Sequence, residues 1–446
     1  MFTAHRRRHP PRVLYLAFYF PPSRASGVYR ARATANHLAE RGWDVTVCAS
    51  PVAYLHKVTG TVDEELLGTV DPRIRIERPA MTSYALNKDL RTFGRLRRNW
   101  PETVHRLHQW SQRRLFPENY SPWALAAVAR GLALHTRRRY DVVLATGNPF
   151  ASFAAAWLFH RATGVPYVVD YRDSWTLNLF TEELAQAEGH PSHRWERRIL
   201  RSASASVFVN EALRGWHARR HPDAADRMLV VPNGWDPDVL TDAPQHRTGH
   251  DRPLRFTYLG TITGVQPVEQ MVDAFRRLRS HAGFDSAELH VHGHLGFFRQ
   301  GQEAARQRLL GPEGGPDNGV RYRGPVSKTE VAGVYEDSDV LVFLAAGARY
   351  VTSGKVFEYM AAGRPIVSVH APGIAARDVL DGYPLWFNAD SLDPSAVADA
   401  MVAAAKAARD LTPAERQAAR EYARRYTREA TLAPLEARLR ELAEAS

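Results

Sequence analysis

Short apolar runs alternate with longer amphipathic stretches along the first half of the chain. The run RVLYLAFYF (12–20) predicts a buried strand, and the amphipathic stretch 28–42 predicts a helix that ends at Gly42. Further strands are predicted at 44–50, 141–147, 166–172 and 205–210. This order predicts right-handed parallel crossovers and a doubly wound α/β sheet, in which ligands lie at the carboxyl ends of the strands.

The alternation stops in a polar run at 241–253 and resumes with the apolar run LRFTYLG (254–260). Strands are then predicted at 287–293, 320–324, 339–345 and 365–370. Because 446 residues exceed what one hydrophobic core usually organises, we expect two Rossmann-like domains, 1–245 and 246–415, facing a cleft that holds the binding site. The strongly helical residues 416–446 are expected to pack back against the first domain.

Charge and cysteine content narrow the possible partners. The formal net charge of +11 favours anionic partners, such as phosphates, acidic lipid surfaces or nucleic acid, but charge alone does not choose among them. Cys48 is the single cysteine, which excludes disulfide frameworks and multi-cysteine metal sites, and we interpret it as a buried strand residue. No run of about 18 apolar residues occurs, and we expect a cytoplasmic protein that does not span a membrane.

The segment 86–115 departs from the alternation. Its apolar residues recur every three or four positions with a break at Pro101, and eight basic against two acidic residues give it a charge of +6. One interpretation is a pair of basic amphipathic helices that lies on an anionic membrane surface, at the inner face of the membrane. The other is a helical hairpin packed on the sheet, with its charged residues in solvent.

The stretch VTSGKVFEYMAAGRPIVSV (351–369) combines a glycine, a lysine and a glutamate at helical spacing. Ser353 and Gly354 predict a turn into a helix over 355–362, in which Lys355 and Glu358 share a face. A helix N-terminus with a lysine beside it suits a diphosphate, and a glutamate one turn on could accept hydrogen bonds from a ribose. Spacing alone fits equally a surface Lys–Glu pair.

This stretch resembles the donor-binding motif of the GT-B glycosyltransferases, specifically the retaining family 4, also called glycosyltransferase group 1. Other pieces match in the same order, over about residues 12–430: FYFPPSRASGVYR (18–30), VDYRDSW (169–175), VPNGWDPD (231–238), YLGTITG (258–264) and YRGPVSKTEVAGVYEDSDVLV (322–342). The resemblance implies two Rossmann-like domains, a nucleotide-sugar donor such as a UDP-sugar, and hexosyl transfer without a cofactor.

The resemblance also assigns the donor-binding residues of the second domain. Lys355 would contact the donor phosphates and Glu358 the ribose, beside the helix start at Ser353 and Gly354. The nucleobase would lie against a loop formed by Gly324, Pro325 and Val326. Gly260 would line the same site. From its place at a strand end, we interpret His292 as a residue that lines the site or is satisfied by neighbouring protein groups, rather than as a metal ligand.

In the first domain the resemblance points to two loops. Gly27 would approach the diphosphate, and Arg30, which also matches relatives, would belong to the donor-binding site. Arg172 and Asp173 are placed at a strand end as catalytic candidates. Arg172 is one of the arginines that could neutralise phosphate charge, and Asp173 either orients or deprotonates the acceptor hydroxyl or caps the next helix. The sequence departs from the family pattern where Tyr350 replaces a second glutamate, which puts the contacts to the sugar hydroxyls in question.

The expected reaction is transfer of a sugar, with retention at the anomeric carbon, to an acceptor hydroxyl on a glycolipid, polysaccharide or natural product. Lys355 and the helix N-terminus would stabilise the departing diphosphate, so no metal site is expected. Two alternatives stay open: a nucleotide-sugar 2-epimerase of the same fold, and a non-enzymatic protein that binds anions or membranes. Nucleic acid is not an expected partner of the enzyme.

Overall fold

The computed structural model describes residues 9–25, 27–59, 62–81, 93–237, 240, 252–296, 302–311, 317–327, 330–345 and 349–445. The chain divides into two compact units, unit 1 (Met1–Val231 with Leu432–Ser446) and unit 2 (Pro232–Thr431). These bounds differ from the expected domain limits at 245 and 415. Most of the polar run, residues 241–251, lies outside the described residues, as does the part 86–92 of the basic segment.

Unit 1 contains a parallel sheet of seven strands: β1 (Arg12–Leu16), β2 (Asp44–Cys48), β3 (Arg75–Glu77), β4 (Val142–Gly147), β5 (Tyr167–Tyr171), β6 (Ala205–Phe208) and β7 (Met228–Val230). Their order is β3-β2-β1-β4-β5-β6-β7, so the direction of winding reverses between β1 and β4. Such a reversal opens a crevice at the carboxyl ends of the two strands. The doubly wound sheet expected for the first domain is confirmed.

The helices described in unit 1 before Val231 are α1 (Val28–Glu40), α2 (Val52–Thr59), α3 (Glu64–Gly68), α4 (Arg95–Asn99), α5 (Pro101–Arg114), α6 (Ser121–His135), α7 (Ala151–Thr163), α8 (Pro191–Ser202) and α9 (Glu211–Arg220). β1 and β4 are buried almost throughout, as expected of parallel strands covered on both faces. Cys48 is fully buried on β2, where burial raises the pKa of its thiol to about 12, which confirms its interpretation as a core residue.

Unit 2 contains a second parallel sheet: β8 (Arg255–Leu259), β9 (Glu288–His292), β10 (Val320–Gly324), β11 (Val340–Leu344), β12 (Ile366–Val369) and β13 (Trp386–Asn388). The order is β10-β9-β8-β11-β12-β13, with the reversal between β8 and β11. The helices are α10 (Val268–Arg279), α11 (Gln302–Leu310), α12 (Val331–Glu336), α13 (Gly354–Ala362), α14 (Arg377–Leu380), α15 (Pro394–Arg409), α16 (Pro413–Arg424) and α17 (Arg428–Glu444).

The C-terminal residues do not form the single element expected for 416–446. α16 belongs to unit 2, where Ala419 and Ala423 are buried in the same apolar cluster as α13. α17 passes into unit 1 at Leu432, and its apolar residues are buried in the core beside β1 and β2. The indole of Trp43 donates a hydrogen bond of 2.9 Å to Glu436 on α17. Packing back onto the first unit therefore begins at 432, because α16 buries its alanines in unit 2.

Candidate functional site

Helix α13 begins in unit 2 after the chain leaves the carboxyl end of β11, one of the two strands at the reversal. Ser353 is its N-cap and accepts a hydrogen bond of 3.3 Å from the Lys355 amide. Gly363 ends the helix with φ +65, a conformation that favours glycine. The predicted helix over 355–362 is confirmed, and the amide groups of its first turn lie at the edge where this fold class binds ligands.

Lys355, Glu358 and Tyr335 form a hydrogen-bonded group on α12 and α13. The ammonium of Lys355 lies 3.0 Å from Glu358 Oε2, and the Tyr335 hydroxyl donates to the same oxygen at 2.7 Å. The Lys355 side chain is 30% exposed and that of Glu358 15%, so the group lies at the surface of unit 2 but is partly shielded from water. Burial and the Glu358 charge raise the pKa of Tyr335, which keeps it a donor.

Two contacts fix the position of α13 within unit 2. The Tyr359 hydroxyl accepts a hydrogen bond from the Leu259 amide at 2.9 Å and lies 3.3 Å from the Leu259 carbonyl, at the end of β8. Asn233, from the VPNG motif, donates to the Thr352 carbonyl at 3.3 Å. The start of α13 is therefore held beside β8, at the reversal between β8 and β11.

Gly260, His292 and Gly324 lie side by side at the carboxyl ends of β8, β9 and β10. The Gly260 amide donates to the His292 carbonyl at 2.9 Å, and the Gly293 amide donates to the Gly324 carbonyl at 2.8 Å. Gly293 has φ +130, and a Cβ there would lie 2.0 Å from the Gly260 carbonyl oxygen, so glycine is required. The structure thus brings three of the predicted donor-binding residues together on neighbouring strands.

His292 is uncharged near neutral pH. Burial, together with the nearby His290, Arg323 and Arg255, lowers its pKa to about 4. Among the described residues its Nδ1 is buried without a hydrogen-bond partner. A buried nitrogen of this kind can donate to or accept from a ligand group, since an unpaired polar atom is costly.

The remaining predicted residues of unit 2 flank these strands. Gly324 has φ +78, which turns the chain at the end of β10, and Val326 packs on the apolar cluster that contains α13. Pro325 between them is exposed. Tyr350, at the position of the missing glutamate, is 6% exposed, and the Arg349 guanidinium lies 5.9 Å from its ring centre.

In unit 1 the structure brings Gly27 and Arg172 into contact at the reversal between β1 and β4. A Cβ on Gly27 would lie 1.6 Å from Arg172 Nη1, so a side chain at position 27 would displace this guanidinium. Arg172 donates to the Gly147 carbonyl at 2.6 Å and to the Asn148 carbonyl at 3.2 Å. The contact between Gly27 and Arg172 could not be predicted from the sequence, because the two residues are far apart along the chain.

Arg30 lies deeper than its predicted role suggests. It forms two hydrogen bonds to Asp170, of 2.9 and 2.8 Å, and a third of 3.1 Å to the Val231 carbonyl. Arg30 is 2% exposed and Asp170 1%. Burial lowers the pKa of Arg30, but the Asp170 carboxylate outweighs this and raises it above its usual value. An effect of Arg30 on a ligand would therefore act through Asp170 and β5.

Asp173 is half-buried in the loop that follows β5. The alternative of a helix cap is wrong, because the next helix, α8, begins at Pro191 and its N-cap is His190. Within the described part of the chain, Asp173 makes no hydrogen bond or ion pair. Its carboxylate therefore has no structural task that competes with binding a ligand.

A buried glutamate that the sequence did not single out fixes the Asp173 loop. Glu196 on α8 accepts a hydrogen bond of 2.5 Å from Thr176, and its oxygens lie 3.5 Å from Nε2 of both His217 and His221. His217 Nε2 also lies 3.3 Å from the Ser174 hydroxyl. Burial raises the pKa of Glu196, but the neighbouring His217 and His221 side chains and the Thr176 hydroxyl together hold this pKa well below its usual range.

Neither a cluster of metal-binding side chains nor a membrane-spanning helix occurs among the described residues. In those ranges no group of three or more His, Cys, Asp or Glu side chains is suited to hold a metal ion. No helix in the same ranges has both the length and the apolar character needed to cross a membrane.

Two parallel doubly wound sheets, each with its predicted residues at the carboxyl ends of strands, define the GT-B class of α/β proteins. Residues 27–234 match the family model described as glycosyl transferase 4-like domain, and residues 253–406 match glycosyl transferases group 1. The chain belongs to this family of GT-B glycosyltransferases, as its sequence motifs predicted. The comparison with curated protein sequences finds no match.

Solved structures share the fold at low sequence identity. A sucrose-phosphate synthase from Thermosynechococcus elongatus has a TM-score of 0.65 at 15% identity, covering 98% of this chain and 100% of its own. A glycosyltransferase from Rickettsia africae has a TM-score of 0.65 at 11% sequence identity, and the match covers 98% of this chain and 100% of that protein. HepE from Anabaena, solved in complex with UDP and glucose, has a TM-score of 0.61 at 14% sequence identity, and the match covers 95% of this chain and 98% of HepE.

Proposed function

We propose that this chain transfers a sugar from a nucleoside-diphosphate donor to an acceptor hydroxyl, with retention at the anomeric carbon, as a family 4 enzyme. The arrangement at the start of α13 carries the proposal: helix amide groups, the Lys355 ammonium and the Glu358 carboxylate lie together at the β8–β11 reversal. Lys355 and the amides would bind the diphosphate. Glu358, held by Tyr335, would accept from the ribose hydroxyls.

Charge development explains how this arrangement would accelerate transfer. Cleavage of the sugar–phosphate bond places negative charge on the departing diphosphate and positive character on the sugar. A cation and oriented amides that interact more strongly with the departing diphosphate than with the intact donor lower the barrier. These groups belong to the chain itself, so the proposed mechanism requires neither a cofactor nor a metal ion.

The other predicted residues receive roles in the same proposal. Gly260, His292 and the Gly324–Val326 loop would line the donor site, with the uncharged His292 offering its buried nitrogen to the sugar or phosphate. Gly27 and Arg172, which are in contact within unit 1, would be phosphate-contacting residues. Asp173 would orient or deprotonate the acceptor hydroxyl, which its lack of a structural partner within the described residues allows.

A donor panel tests the proposal and separates it from the 2-epimerase alternative. Radiolabelled UDP-, GDP-, dTDP- and ADP-sugars are incubated with the protein, with and without a mixture of acceptor glycosides. UDP-sugars come first, because HepE, a neighbour in fold, was solved with UDP and glucose. We expect release of the nucleoside diphosphate that depends on the acceptor. Conversion of the donor sugar without any acceptor would instead identify an epimerase.

A specific observation favours membrane contact as a second property. In the segment 95–115, called the α4–α5 segment below, no residue is fully buried. Its large apolar side chains are 52–77% exposed: Leu96, Trp100, Leu107, Trp110 and Leu115. The predicted break at Pro101 is confirmed, but the apolar stripe does not pack on the sheet. Exposed tryptophan and leucine among arginines suit the interface of an anionic membrane, at the cytoplasmic face.

Replacing Leu107 and Trp110 with serine should reduce binding to anionic vesicles by at least about tenfold, because two large apolar side chains leave the lipid interface. The matched control replaces Leu125 and Val265, each 62% exposed elsewhere, with serine. Sedimentation with phosphatidylcholine vesicles containing phosphatidylglycerol measures the effect. Equal binding by the two double variants would contradict membrane contact through this segment.

A further inference from the structure

A groove between α7 and α8 in unit 1 carries an unusual concentration of cations. Its volume is about 690 Å³, and its lining residues are Trp157, His160, Arg161, Arg194, Arg197, Arg198, Arg201 and Ser202. No acidic side chain is among them. We call this feature the arginine groove. It is formed within unit 1 by residues to which the sugar-transfer proposal gives no role.

The positive charges on α8 destabilise the helix unless an anion binds to them. Arg194, Arg197, Arg198 and Arg201 occur at helical spacing of three and four, and all four are exposed. Like charges at this spacing repel one another and destabilise a helix. The acidic residue of this helix, Glu196, is buried on its other face, and Arg201 alone of the four has an ion pair in the described structure, with Asp223 at 2.9 Å. A bound polyanion would remove the repulsion.

Aromatic rings hold part of this groove in place. The Arg198 guanidinium lies 5.2 Å from the Trp157 ring centre and 4.9 Å from that of Trp195. The two indoles pack edge to face at 5.5 Å. An arginine stacked on aromatic rings keeps its donors available and loses little freedom when it binds a phosphate.

The arginine groove adjoins the α4–α5 segment. The indole of Trp195 donates a hydrogen bond of 2.6 Å to the Leu115 carbonyl, and its ring packs against Phe116 at 5.2 Å. Leu115, the last residue of the segment, is 57% exposed. The groove and the exposed apolar residues are therefore neighbouring parts of the surface of unit 1.

We propose that the arginine groove binds the phosphate groups of anionic phospholipids in the membrane on which the α4–α5 segment lies. Guanidinium groups recognise phosphate with paired hydrogen bonds, and anionic lipid surfaces attract arginines near the bilayer. The apolar segment would supply insertion and the groove the preference for anionic lipid. This inference rests on the membrane contact proposed above and is independent of the donor site.

The test replaces Arg194, Arg197 and Arg198 with glutamine in the full chain. Binding to vesicles of phosphatidylcholine with phosphatidylglycerol should fall by at least about tenfold, since each arginine near such a surface contributes measurably. The matched control removes the same charge elsewhere in unit 1 by replacing Arg137, Arg138 and Arg139 with glutamine, and it should lose less than about threefold. Circular dichroism and release of nucleoside diphosphate from the donor should be unchanged in both variants.

The outcomes separate the groove from the membrane contact itself. Equal losses in the two triple variants would overturn the groove and leave only a general charge effect. Full binding by the groove variant, with loss in the Leu107/Trp110 double variant, would overturn the groove and leave the segment in place. No vesicle binding by the wild type would overturn both. Stabilisation of the wild type by inorganic pyrophosphate, without vesicle binding, that is kept in Lys355→Ala but lost in the groove variant would identify a soluble phosphate ligand of the groove and contradict the lipid assignment.

Discussion

Replacement of Lys355 with alanine should lower the rate of sugar transfer by about 100-fold or more, as loss of one oriented charge stabiliser typically does. Lys355 provides the full charge beside the first amides of α13, and its ammonium lies 3.0 Å from Glu358. Without it, the departing diphosphate would be stabilised by the amides alone. Initial rates of nucleoside diphosphate release, measured with the donor found in the panel, give the effect.

Two controls separate charge from structure in this variant. Lys406→Ala removes an exposed lysine from α15 in the same unit and should leave the rate unchanged. Lys355→Arg keeps the charge but replaces a compact ammonium with a planar, longer group, and should recover only part of the activity. Activity of Lys355→Ala within twofold of the wild type would remove Lys355 from the proposed mechanism.

Replacement of Arg30 with methionine should lower the free energy of unfolding by about 3–5 kcal/mol, because it leaves the Asp170 carboxylate buried and unpaired. Arg30 and Asp170 are both almost fully buried and joined by two hydrogen bonds. Urea unfolding followed by circular dichroism measures the change in the transition of unit 1. Asp170→Asn should also destabilise this unit, since it removes the charge that Arg30 pairs with.

A double variant distinguishes an ion pair from simple packing. Arg30→Met with Asp170→Leu should be clearly more stable than either single variant, because no unpaired charge remains in the core. The control Arg12→Met breaks the more exposed pair with Asp44 on the same sheet and should cost at most about 1 kcal/mol. A cost for Arg30→Met no larger than that of the control would contradict the structural role assigned to the buried pair.

The strands that could be predicted are those whose apolar runs are long and buried. β1, β4 and β5 lie inside a parallel sheet covered on both faces, and nearly all their residues are buried. Three short strands, β3, β7 and β13, were not predicted. Each has three residues, lies at a sheet edge and is partly exposed, so it is too short to give the pattern of apolar positions that marks a strand.

The site was predictable where its chemistry is local in sequence. Ser353, Lys355 and Glu358 lie within six residues, and capping and helical spacing place them on one helix end. Tyr335 and Glu196 were not predicted, because their roles depend on partners about 20 residues away or more. The Arg30–Asp170 pair spans 140 positions, and no sequence pattern indicates such a contact.

For the α4–α5 segment, the sequence predicted the helical pattern but not the environment of its apolar side chains. Its periodicity predicted an apolar stripe and a break at Pro101, and both occur. Periodicity does not say whether the stripe faces a core or solvent, because both give the same spacing of apolar residues. Only the exposure of Leu107 and Trp110 distinguishes the two interpretations.

Thermal unfolding with nucleoside diphosphates tests the central claim most directly, namely that the start of α13 binds the donor diphosphate. UDP, GDP, dTDP and ADP are added in turn to the wild type, Lys355→Ala and Lys406→Ala. We predict that one nucleotide stabilises the wild type and Lys406→Ala, by about 2.7 kcal/mol at 100 times its dissociation constant, but not Lys355→Ala. Stabilisation of none of the proteins, or equal stabilisation of all three, would contradict the account.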